Sequence, residues 1–159
     1  MQWFTDLVPH PIAFSEDDPG LAELRQICLA LPGAGERISH GRPTFRAGRI
    51  FVAFGGSVAP VATERSDGRR ERRPGERRQV PSALIFMPDA VDRSALDADP
   101  RFFVPAYYGA YGWRAIDLAE PGVDWGEIRE LVDASYRLLA PKKLIARLDA
   151  PGATAAGDA

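Results

Sequence analysis

The chain is poor in the residues that carry metal and redox chemistry. It has one cysteine, Cys28, and two histidines, His10 and His40, in 159 residues. A lone cysteine excludes an internal disulfide and suits a reducing cytosol. This set is too small for a Cys/His zinc site, so no metal and no other cofactor is expected. No apolar run approaches the ~18 residues that span a bilayer, so no membrane partner is expected. The opening "MQWFTDLVPHPIAFSEDDPG" lacks a basic n-region and places acids where a signal peptide is apolar. Together these absences point to the cytoplasm.

What is present is an ordinary globular composition, 45% apolar and 26% charged. The length suits one compact domain with its own core. The net charge of −2 hides an asymmetry. From Glu64 to Arg78 the chain carries +3, and the remainder carries −5. The basic part centres on "SDGRRERRPGERRQ", residues 66–79, with six arginines around a Pro-Gly. Phosphate recognition needs a basic surface, and this stretch is the plainest one in the sequence.

Hydrophobic spacing predicts the elements. Leu21, Leu24, Ile27, Cys28 and Leu31 recur at three and four, a helix over 20–31 that Pro32-Gly33 ends. Ser15 or Asp18 is the expected N-cap. A hairpin follows: one strand over 37–46 with an irregular Gly41-Arg42-Pro43, then a second over 49–54. Residues 55–79 show no period and read as a long loop. "VPSALIFM", residues 80–87, is a strand. Residues 90–98 read as a short helix with Val91, Ala95 and Leu96 inward. Residues 102–106 and 113–118 read as partner strands. Asp124 and Glu127 open the clearest helix, with Ile128, Leu131, Val132, Ser135, Leu138 and Leu139 on one face. Pro141 interrupts it, and "KKLIARLD" makes one more short helix with Leu144, Ile145 and Leu148 inward.

Hairpin-joined strands with helices bunched at the ends indicate an α+β fold. The expected form is a two-layer sandwich, an antiparallel sheet of about five strands with helices packed on one face. Residues 1–19 read as an N-terminal extension, in which Trp3, Phe4, Leu7 and Val8 suit a short docking turn. Residues 20–149 form the single domain, with the long Arg-rich loop at 57–79, and 150–159 form a frayed tail.

Four stretches carry a family resemblance: "LALPGAGERISHGRPTFRAGRIFVAF", "ALIFMPD", "DPRFFVPAYYGAYGWRAIDL" and "VDWGEIRELVDASYRLLAPKKLIARLD". In order and spacing they resemble the MmcQ/YjbR-like family over about 20–56 and 83–149. The resemblance implies a small α+β domain with an antiparallel sheet and helices on one face. That topology is similar to secretion chaperones and to a double-wing domain of a phage transcription factor. It also implies a DNA-binding label and brings no catalytic residues. Residues 57–79 are longer and richer in arginine than the family's usual connection, and the first eighteen residues are an extension.

The candidate sites follow from residue chemistry. Arg69, Arg70, Arg72, Arg73, Arg77 and Arg78 suit phosphate contacts, or form a solvated loop with Asp67, Glu71 and Glu76 among them. Lys142 and Lys143 either contact phosphates or simply complement a helix end. His40 and Arg42, with Tyr107, Tyr108 and Trp113, form a possible ligand surface, and the tyrosines suit base stacking. Arg101 and Arg114 flank that aromatic segment. His40 equally reads as a loop residue bonded to backbone. Cys28 reads as a small core hydrophobe. Gly33, Gly35, Gly41 and Gly48 match no phosphate-binding motif and read as turns. The leading expectation is a non-enzymatic protein with DNA as its partner, bound weakly through the loop. The alternatives are a chaperone-like protein-interaction domain using exposed aromatics, and a small-molecule binder around His40.

Overall fold

The computed structural model describes residues 11–60, 63–64, 70–71 and 77–150. Among these residues four α-helices, α1 (Leu21–Leu29), α2 (Ala90–Asp97), α3 (Trp125–Leu139) and α4 (Lys142–Asp149), and a short 3-10 helix (Tyr108–Tyr111) accompany eight strands. Six strands form one antiparallel sheet in the order β1-β2-β3-β6-β8-β7. These are β1 (Gly35–Ser39), β2 (Arg42–Ala47), β3 (Arg49–Ser57), β6 (Gln79–Phe86), β7 (Phe102–Phe103) and β8 (Arg114–Asp117). The two-residue strands β4 (Thr63–Glu64) and β5 (Arg70–Glu71) pair with each other inside the connection from β3 to β6.

Apolar alternation on the strands puts Phe45, Val52, Phe54, Leu84, Phe86 and Ile116 on one face. There they meet Leu21, Leu24 and Cys28 of α1 and Ile128, Val132 and Tyr136 of α3. The Phe51 and Tyr136 rings meet edge to face, 5.3 Å between centroids. α3 is also pinned to the sheet by one hydroxyl. Ser135 Oγ, fully buried, donates to Phe51 O at 2.5 Å and accepts from Met87 N at 2.9 Å. Ser135 thus satisfies polar groups of β3 and of the chain just past β6 at once.

The structure bears out the α+β sandwich with helices on one face and alters several details. The stretch over 37–46 is two strands, because His40 and Gly41 form a two-residue turn in which both take positive φ, 52° and 79°. Such turns match the twist of paired strands, and the sheet therefore has six strands where about five were expected. The connection is also shorter than expected, since β3 runs on to Ser57 and β6 begins at Gln79. Gly20 caps α1 in a left-handed conformation, and Asp18 instead accepts from the Ser15 N–H.

The inward face expected for α2 does not form. Val91 and Ala95 are exposed and only Leu96 is half-buried. Polar anchors hold this helix in place of apolar ones. Asp89 caps it, Arg93 donates to Gly112 O, and Asp97 takes a two-pronged hydrogen bond from Arg114 at 2.6 and 3.1 Å. The segment ahead of α1 is docked: Ala13 N donates to Gly41 O, and Phe14 packs on the core. Trp3, Phe4, Leu7 and Val8, and the tail past 150, lie outside the described residues.

Two predictions follow from these anchors. Ser135→Ala strands the buried Phe51 carbonyl and the half-buried Met87 N–H, so it should lower unfolding stability by ~1–3 kcal/mol in urea titration. The hydrogen bonds from Arg114 hold the Asp97 carboxyl below its ordinary value. A carboxyl depressed on folding adds stability above its unfolded pKa, and that stability is lost as pH falls through the folded value. Asp97→Asn should therefore lower the melting temperature at pH 7, with the gap to the unaltered protein closing below about pH 4.

Candidate functional site

Register decides which side chains share the sheet face turned away from α1 and α3. Across β1 and β2, Arg37 pairs with Thr44 and Ser39 with Arg42; across β2 and β3, Thr44 pairs with Ala53. Directly paired residues share a face, as do residues two apart on a strand. Arg37, Ser39, Arg42, Thr44 and Arg46 therefore stand on one face with Ala53, and through it with Ile85 and Ala115. This second face has its own small apolar cluster of Ala53, Val80, Ala83, Ile85, Trp113 and Ala115. The cluster covers the middle of the sheet, whereas the β1–β2 margin is arginine.

Among the described residues none of these three arginines has an ion-pair partner. Other arginines are committed. Arg25 binds Glu16 and Glu36, Arg101 binds Asp99 and Glu127, Arg114 binds Asp97, and Arg137 binds Asp133 and Asp149. The acid that shares the arginine face by register, Asp117, accepts from the Ala119 N–H and lies three strands from β2, about 14 Å away. That exceeds the ~8 Å screening length at physiological salt.

Arg42 is the most constrained of the three. Its Nη1 is buried without a hydrogen-bond partner. A Cβ on Gly55 would stand 2.3 Å from that atom, and Gly55 has φ +79°. The guanidinium thus lies against the β3 backbone in space that only glycine leaves. A half-buried cation without a carboxylate is unfavourable, and an oxyanion at its outer edge would compensate it. Thr44 Oγ1 donates to Arg37 O at 2.7 Å and lies 3.5 Å from Arg46 Nε, tying the stripe to the backbone.

The aromatic segment folds over the neighbouring part of the same face. Ala106 N donates to Ser57 O and Ala59 N to Val104 O, so residues 104–106 run beside the end of β3. Tyr108 and Trp113 pack against the second cluster, their rings 5.3 Å apart. Burial raises the Tyr108 hydroxyl pKa, and the positive field of Arg46 draws it partly back. Tyr107 and Tyr111 point outward, 75% and 80% exposed. Arg77 lies 4.7 Å from the Tyr107 ring centroid and donates to its hydroxyl.

The structure thus brings Arg42, Tyr107, Tyr108, Trp113 and Arg77 to one side of the molecule. His40 sits in the β1–β2 turn. Lys142 and Lys143, both exposed, open α4 in the helix layer, beside Pro141 and the Gly48 turn. Arg78 is exposed at the base of the connection, and its carbonyl accepts from Val58 N. Arg70 is described only by its pairing with Glu64. Arg69, Arg72 and Arg73 lie outside the described residues, as do Asp67 and Glu76. Arg101 and Arg114 are spent in ion pairs. A cleft of about 760 Å³ lies between α1 and α3, lined by Ile27, Leu31 and Trp125 with Glu23, Arg129 and Glu130. None of the proposed ligand residues lines it. Among the described residues no three His, Cys, Asp or Glu side chains gather as metal ligands.

Sequence reasoning missed Arg37 and Arg46. The signal was present, since Arg46 alternates with the core residues Phe45 and Ala47, and a two-residue turn at His40-Gly41 brings Arg37 and Arg42 to the same face. Reading 37–46 as one strand breaks that alternation.

These features define a class: an α+β domain with helices on one sheet face and an arginine-edged second face. The chain belongs to the YjbR family, whose model matches residues 29–138, more than half its length. No curated protein and no solved structure gives a match.

Cys28 lies within the core of α1, and burial pushes its thiol pKa up. It should react with a water-soluble disulfide reagent only on unfolding, so native protein should show under one tenth of the urea-unfolded rate, roughly.

Proposed function

We propose that this YjbR-family protein is a non-enzymatic, cytoplasmic DNA-binding protein. Its main phosphate-contacting surface is the arginine stripe of β1 and β2, with the arginine-rich connection as an adjunct. The observation that carries this reading is the set Arg37, Arg42 and Arg46, three guanidiniums on one face without acidic partners among the described residues. In a chain with more acids than bases, Arg25, Arg101, Arg114 and Arg137 are by contrast neutralised by carboxylates. Arg42 and Arg46 stand four residues apart on β2, roughly 13 Å, and Arg37 lies on the neighbouring strand opposite Thr44, between them. Arg77 and Arg78 extend the basic surface from β2 toward the connection.

The test is titration of DNA at several salt concentrations. Each phosphate contact adds ~0.9 to the salt slope on duplex and ~0.7 on single strands. Replacing Arg37, Arg42 and Arg46 together by Gln should cut the duplex slope by about 2.7. Deleting 66–79 should cut it less. Equal slopes for the triple variant and the unaltered protein would refute the sheet-face reading, and a complete loss on deleting 66–79 would return the site to the connection.

A further inference from the structure

Tyr107 is the one strained non-glycine residue of the aromatic segment, with φ 68° and ψ −60°. Tyr108 N donates to Ala106 O at 2.9 Å, closing a three-residue γ-turn of the positive-φ kind. A side chain in that conformation is unfavourable, and such strain concentrates at ligand-holding positions. Here the strain secures no burial, since the ring is 75% exposed. It does aim the ring. Ala106 is fixed on Ser57, and Tyr108 is wedged against Trp113, so the turn between them projects Tyr107 outward.

Arg77 then fixes the ring's orientation. Its guanidinium stands 4.7 Å from the centroid and donates to the hydroxyl. One ring face is thereby taken, and the opposite face is the one offered. The anchor of this turn, Ser57, is two residues from Gly55, over which Arg42 lies. A flat, preoriented aromatic surface thus adjoins the phosphate-contacting stripe.

We propose that Tyr107 is a stacking platform for an unpaired base, and that the preferred ligand is single-stranded nucleic acid over duplex. This rests on the nucleic-acid reading above and goes further, because phosphate contacts alone do not distinguish a stacked base from an absent one. Every base has a π-face, so the platform is tolerant of sequence. In duplex the base faces are already stacked on their neighbours, so the ring has nothing to receive.

The experiment is fluorescence anisotropy of the full chain with three labelled probes: an oligothymidylate, an abasic strand of equal length and charge, and a duplex. Expected is tighter binding of the thymidylate than the abasic strand by about 5- to 140-fold for one stacked base. Tyr107→Ala should remove that preference by weakening the thymidylate far more than the abasic strand, while Tyr107→Phe should retain it. Equal affinity of the unaltered protein for the thymidylate and abasic strands overturns the platform and leaves phosphate binding standing. Equal loss on both strands in Tyr107→Ala also overturns it, as the ring would then be supporting the surface. Binding to none of the three probes removes the nucleic-acid reading itself, and this inference with it.

Discussion

Everything on the second face of the sheet depends on how completely the first face is taken. α1 and α3 cover Phe45, Phe54, Leu84, Phe86 and Ile116, and the fully buried Ser135 hydroxyl fixes the distance of α3 from the strands. A β-strand sends alternate side chains to opposite faces. Once Phe45 and Ala47 are committed to the helices, Thr44 and Arg46 are committed to the other side. Among the described residues no further α-helix is laid there. The chain uses residues 104–113 to cover the central strands with Tyr108 and Trp113, and that cover ends before β1 and β2. The margin left over is where cations can remain hydrated, and arginines occupy it.

The electrostatics follow the same division. Carboxylates of α2, α3 and α4 neutralise Arg101, Arg114 and Arg137, and Glu16 ahead of α1 with Glu36 of β1 neutralises Arg25. These pairs join elements distant in sequence, Arg101 to the first turn of α3 and Arg114 to the end of α2. Most are partly exposed, so each adds little to stability, and their larger effect is on charge distribution. They remove positive charge from the helix side of the molecule. In a net negative chain, the arginine margin of β1 and β2 keeps its positive charge.

Much of the architecture was legible in the sequence. α3 announced itself through the Asp124 cap and a sustained apolar period, and α1 through Leu21, Leu24 and Cys28. These signals are local, and the periodicity alone carries them. The β1–β2 hairpin was not legible, because its turn puts a histidine at φ 52°, where glycine, asparagine or aspartate is the usual occupant, and Pro43 sits at the start of the return strand. The face of α2 was misread for a different reason. Its Val91 and Ala95 have helical spacing, but nothing packs above them, and no local pattern reports the absence of a neighbour. The candidate surface shared the fate of the hairpin. Tyr107, Tyr108 and Trp113 stood out as aromatics beside glycine, whereas Arg37 and Arg46 acquire meaning only through register. The arginine-rich connection drew the eye by composition, and composition does not say which charges are already spent.

Gly55 and Arg42 are thirteen residues apart and behave as a single structural choice. Any side chain at 55 would meet both an unfavourable φ of +79° and the Nη1 of Arg42 at 2.3 Å. Conversely, a short residue at 42 would leave a gap over bare backbone beside the β3 bulge. Arg42 in this position requires glycine at 55, and Gly55 is required by its own φ as well. A side chain at 55 would therefore displace the guanidinium and strain the backbone in one step.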